Sequence, residues 1–163
     1  MLPLAPPALH NFRAAQGWLE LGNPTEAALE LAQIEEAWQS HPDVLELRWD
    51  LLSDEKKWAA ALATAEQLVA AAPERCSGWI HRSFSLHELK RTQEALDLLQ
   101  PALGQFPKVS TVPYNLACYT CQLGRLDDAR AWLAQAQRLG GRERILAMAR
   151  QDSDLAPLWA ELA

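Results

Sequence analysis

At 163 residues, 49% of them apolar and 22% charged, the chain has the length and balance of about one water-soluble domain. Its net charge is −6, and its longest basic runs are Lys56-Lys57 and Arg142/Arg144, which excludes the basic face that displaces counterions from nucleic acid. No stretch approaches the roughly 18 apolar residues of a membrane span, and the N-terminal MLPLAPPALHNF has neither a positive leader nor a long apolar core.

Residues 1–7 form a proline-rich, extended lead-in, because proline lacks an amide donor and restricts its predecessor. A helix is predicted from about Ala8–His10, with Ala14, Ala15, Trp18 and Leu21 at helical spacing and Gly22 as its cap. Asn23-Pro24-Thr25 starts a second helix over 25–39, with Ala28, Leu31 and Ile34 inward. Pro42 opens a third helix over 43–54, with Leu45, Trp49 and Leu52 inward, and 58–71 form its partner. From Cys76 onward come Trp79, Ser83, Leu86, Ala95, Leu99 and Ala102, closing on Pro107.

The chain repeats. Ala27, Ala61, Ala95 and Ala129 recur at intervals of 34 residues, as do Leu31, Ala65, Leu99 and Leu133, and again Ile34, Leu68, Ala102 and Ala136. Pro73 and Pro107 keep the same spacing. Four frames, 8–41, 42–75, 76–109 and 110–143, abut without insertion, and 144–163 follow as a capping helix and tail. In the fourth frame YNLACYTCQLGRLDDARAWLAQA (residues 114–136) carries Asn-Leu-small, then Gly, then Ala, Leu and Ala.

This repeat resembles the tetratricopeptide repeat, a helix–turn–helix unit with small residues where its helices touch. The resemblance covers 8–143, with a tail (Asp152-Ser153-Asp154-Leu155, then Leu158) similar to those after many bacterial arrays. It implies an all-α, right-handed solenoid with a terminal helix shielding the last repeat. Trp49 stands where the family keeps a small residue. Either it is balanced by Ala61 and Ala65 across the helix pair, or it faces the groove and touches ligand. Arg48 and Arg82 stand where the family has Leu, so each is expected to reach the edge or a carboxylate.

The family's first helices line a concave groove, which would carry Phe12, Glu46, Asp50, Ile80, Phe84, His87, Tyr114 and Cys118, with Asn115 beside them. Asp43, Glu46, Asp50 and Asp54 make an acidic stripe: a solvated face, or a docking surface for a basic peptide. Phe12, Ile80, Phe84 and Tyr114 make an apolar strip: ligand anchors, or side chains packed between helices. The family's basic clamp for acidic chain ends is not reproduced.

Cys118-x-x-Cys121 is the one constellation with a chemical look, and with His87 and His81 it could supply four zinc ligands. A single pair at mid-helix favours small buried thiols over metal or redox chemistry. With three cysteines, an odd count, the thiols are expected to be reduced and the compartment cytoplasmic. No Gly-rich phosphate loop, HExxH or GxSxG occurs, and His10 and His41 sit near predicted helix ends where capping or exposure suits them. The expectation is a non-catalytic, cofactor-free interaction module of bacterial type that takes a basic or apolar peptide or partner helix. Alternatives are a secretion-system chaperone for an exported protein and a self-associating adaptor, dimerising through Trp132 and Trp159. Neither nucleic acid nor membrane is an expected partner.

Overall fold

The structure is a computed structural model describing residues 3–161. These form α1 (Ala8–Glu20), α2 (Pro24–Ala32), α3 (Pro42–Asp54), α4 (Trp58–Ala71), α5 (Cys76–Glu88), α6 (Thr92–Leu99), α7 (Ala102–Gln105), α8 (Thr111–Gln122), α9 (Leu126–Gly140) and α10 (Arg142–Ala149). Two 3₁₀ segments, Glu36–Trp38 and Ser153–Glu161, complete the described residues, which contain no strand. The chain divides into two compact units between His81 and Arg82.

The twelve repeat marks are all buried: the four alanines at 27, 61, 95 and 129 have no exposed surface, and none of the other eight exceeds 4%. Small residues there let paired helices approach closely, which dense packing requires.

One turn repeats with the same spacing. Gly22, Lys56, Lys90 and Gly124 all have positive φ (73°, 55°, 63° and 75°). In each case that residue's N–H bonds back three residues and the next N–H bonds back five: Gly22 to Leu19 and Asn23 to Trp18, Lys56 to Ser53 and Lys57 to Leu52. Lys90 to His87 with Arg91 to Leu86, and Gly124 to Cys121 with Arg125 to Thr120, complete the set. This paired bonding satisfies the last carbonyls of a helix and needs a left-handed residue, which glycine adopts freely and lysine at a cost. The following residue starts the second helix each time. Asn23 does so with its side chain accepting from Glu26 N–H at 3.2 Å; Lys57, Arg91 and Arg125 cap with no side-chain bond.

In the first unit α1 pairs with α2 and α3 with α4. Its main core joins Ala15, Ala27, Leu31, Ile34, Val44, Leu47 and Leu51, and Leu4 of the lead-in is buried in it as well. Two expectations need correction. α2 ends at Ala32 rather than 39, and Ile34 reaches the core from beyond the helix while Gln39 donates to the Leu31 and Ile34 carbonyls. Ala27, not Ala28, faces inward. His41 begins α3, its Nδ1 accepting from Asp43 N–H at 3.2 Å, so it is a cap.

Trp49 is 8% exposed and stacks on His81 with ring centroids 3.8 Å apart, opposite a partner helix whose Ala61 and Ala65 are fully buried. That is the packed alternative. Arg48 is half-buried, and its guanidinium donates to the Gln39 side chain and, at 3.5 Å, to the Gln39 carbonyl, with the Glu36 carboxylate near enough to favour its charge. Arg82, in the second unit, likewise donates to the Leu98 carbonyl at 3.2 Å.

In the second unit α8 pairs with α9, and α6 and α7 pack on α8. α6 and α7 are one helical path interrupted at Pro101, which keeps helical angles but supplies no N–H. α10 packs on α9, and Ser153–Glu161 lies on α8. A 3₁₀ run of this length far exceeds the usual three or four or so residues, so it owes its shape to what it docks on.

Candidate functional site

On α3 the acidic residues are partly neutralised from within the first unit. Arg75 donates to Asp43 Oδ1 at 2.6 Å and lies 3.5 Å from Glu46 Oε2, while the Ser77 hydroxyl donates to Glu46. Asp50 is half-buried, and burial, with Glu46 and Asp54 adding repulsion, pushes its carboxyl up to about 6. The stripe is therefore neither a uniformly solvated face nor a fully charged one. Phe12 is half-buried against the first unit's core, which is the packing alternative for that residue. Ile80 and Phe84, four residues apart on α5, are half-buried, whereas Ser83, Ser85 and Leu86 beside them are fully enclosed.

The second unit differs from expectation more sharply. Tyr114, Cys118 and His87 are each at most 6% exposed because the end of the chain covers them. The Tyr114 hydroxyl donates to Asp152 Oδ2 at 2.8 Å and the Cys118 thiol points to the same oxygen at 3.5 Å. His87 holds Thr92 Oγ1 on Nδ1 at 3.0 Å and Asp154 Oδ2 on Nε2 at 2.9 Å. Gln122 donates to the Asp154 carbonyl at 2.8 Å. Leu155 and Leu158, from the same segment, are 0% and 1% exposed. Tyr114 is thus no open apolar anchor, and its ring is shielded by the chain's own tail.

Asn115, half-buried, bonds with the Tyr119 hydroxyl, which itself donates to Ser83 Oγ at 3.1 Å, so it belongs to an internal network. Burial, reinforced by the Asp152 and Asp154 carboxylates, pushes the Tyr114 hydroxyl and the Cys118 and Cys121 thiols up, leaving them protonated donors. Among the described residues no three His, Cys, Asp or Glu side chains are grouped as a metal site would need, and the three cysteines are free thiols. No described helix is long and apolar enough to cross a membrane.

Sequence reasoning missed Arg75, Ser77, Thr92, Gln122, Asp152 and Asp154. Their partners lie 29–38 residues away, except that Thr92 is five residues from His87 and Asp154 is 67 from it. The one available signal was the Asp-x-Asp-Leu tail itself.

The tetratricopeptide-repeat family model matches residues 86–162. Over that span, a little under half of its length, the chain is similar to tetratricopeptide-repeat proteins. Solved structures extend the likeness of fold. A MamA fragment from Desulfovibrio magneticus RS-1 superposes with a TM-score of 0.75 at 17% identity, covering 98% of this chain and 93% of that one. A thermophilic tetratricopeptide-repeat protein of Thermus thermophilus, TTC0263, gives 0.72 at 20% identity, covering 95% and 94%. PilF of Pseudomonas aeruginosa gives 0.71 at 21%, covering 96% and 76%. No curated protein sequence matches. The all-α class of helix–turn–helix repeats, as found in tetratricopeptide solenoids, is thereby established.

Proposed function

We propose that this chain is a non-catalytic protein–protein interaction module that takes a peptide or partner helix against its first helices. The observation that carries the reading is the stripe on α5. Ile80 and Phe84, four residues apart, are each only half-buried, so part of two apolar side chains on one helix stays accessible to a partner. On α3, Asp50 supplies negative charge for a basic segment above about pH 6, with Asp43 and Glu46 both already engaged by Arg75. Phe12, His87, Tyr114, Asn115 and Cys118 act as support in this reading, since all five are held by internal contacts.

Support for an interaction role comes from the repeat family and from structural neighbours such as the APC/C hetero-tetramer Cut9-Hcn1, a protein assembly by its own description, with a TM-score of 0.74 at 14% identity. A cytoplasmic setting and a bacterial source belong to the same proposal, to which a secretion-system chaperone for an exported protein and a self-associating adaptor are the alternatives.

Affinity capture from native lysate tests it, comparing the natural chain with an Ile80→Asp/Phe84→Asp variant whose helicity and melting are checked. A partner retained by the first and lost by the folded variant is the expected result. Equal capture by both overturns the α5 assignment.

A further inference from the structure

The end of the chain is bound as a peptide ligand would be bound. Its Asp152 carboxylate accepts from the Tyr114 hydroxyl and faces the Cys118 thiol, its Asp154 carboxylate meets His87, and the Asp154 carbonyl accepts from Gln122. Asp152 Oδ1 also accepts from Asp154 N–H at 3.0 Å, which holds the two acids in one turn. Leu155 and Leu158 then enter fully buried positions. This is recognition by pattern: two acids one residue apart set the register, and two leucines supply apolar burial. A cleft of about 340 Å3 adjoins the contact, with Lys90 on its wall beside His87 and Asp154, while Arg91 on the same wall is paired with Glu94 at 2.6 Å. The Lys90 ammonium complements an acidic segment.

We infer that the face formed by His87, Tyr114, Cys118 and Gln122 is a docking site for a partner segment of the pattern Asp-x-Asp-Leu-x-x-Leu, and that residues 152–158 occupy it in cis until such a segment displaces them. The tail is suited to release. It is a 3₁₀ run with Pro157 inside it, so it lacks the i→i−4 bonding of an α-helix, and among the described residues it is held further by Arg130 to Glu161 and by the Trp159 indole to the Ala149 carbonyl. A site filled by its own chain shows an outside ligand only the fraction of time it is open, which lowers apparent affinity in proportion.

This rests on the reading that these repeats bind peptide, but the two fail separately: equal lysate capture by the α5 variant leaves uptake at His87 and Tyr114 untouched, and the reverse holds too. The probe is a fluorescent peptide with the sequence of residues 150–161, RQDSDLAPLWAE, titrated into the full chain and into an Asp152→Asn/Asp154→Asn variant. Weakening the cis contact is expected to tighten uptake by about tenfold or more, and a peptide carrying the same two substitutions is expected not to bind. A folded variant that takes up no more peptide than the natural chain overturns the inference. So does a variant that dimerises without taking up peptide, which assigns the face to a second copy.

Should the double variant not fold, hydrogen exchange on the natural chain decides. Amides of 153–161 are expected to exchange faster than those of α8 and α9, and faster still with excess peptide. Protection equal to that of α8, unmoved by peptide, means the tail opens only when the unit unfolds, and the inference falls.

Discussion

Asp50 and His81 belong to the same unit and titrate in opposite directions. Burial keeps Asp50 protonated up to about 6 against an ordinary 3.8, so the folded state holds the extra proton between those values and stability falls as pH rises through that window. Burial depresses His81 to about 4 from an ordinary 6.5, so the unfolded chain takes the proton first and stability falls as pH drops through that window. The two slopes largely cancel between pH 4 and 6, and single variants separate them. Asp50→Asn is expected to raise the melting temperature at pH 7.5 by about 2–4 °C, after discounting for its partial exposure. His81→Phe, which keeps a ring against Trp49, is expected to flatten the acid limb of a Tm-against-pH curve. Melting curves from about pH 4 to 8 check both.

At the level of the element, the two lysine turns are weaker copies of the two glycine turns. Lys56 and Lys90 hold φ of 55° and 63°, where a Cβ crowds the following carbonyl. Lys56→Gly and Lys90→Gly are each expected to add about 0.5–1 kcal/mol, and Gly124→Ala to remove a comparable amount, all readable by thermal or urea melting. The sequence displayed the buried marks openly, because a period of 34 residues in small apolar side chains is itself the packing pattern. It hid the lysine turns, since nothing in a Lys-Lys or Lys-Arg pair announces a left-handed residue; only distance from Gly22 and Gly124 does. Ala27 and Ala28 were confusable for a different reason: adjacent alanines differ only by the phase of a helix whose start must be known to within one residue. The candidate site was least legible. Which face a helix presents can be read from its own spacing, but whether that face is open depends on where the chain returns, and for Tyr114 and His87 it returns 38 and 67 residues later.

Across the whole chain, order depends on its last described residues as well as on its repeats. Leu155 has no exposed surface, so Leu155→Ala is expected to cost about 2–5 kcal/mol and to lower Tm well beyond the surface substitution Met148→Ala, despite lying within ten residues of the terminus. Equal melting of the two variants would show that the tail contributes no core. The recurrent turn has another outcome, for which changes of length the fold can absorb. Each left-handed residue and the capping residue after it join two helices with no slack, and every residue added there would rotate the second helix by about 100°. One extra residue between Lys56 and Lys57 would swing Ala61, Ala65 and Leu68 away from α3 together. A lineage descended from such a chain should therefore vary freely in the letters at these corners and scarcely at all in their number.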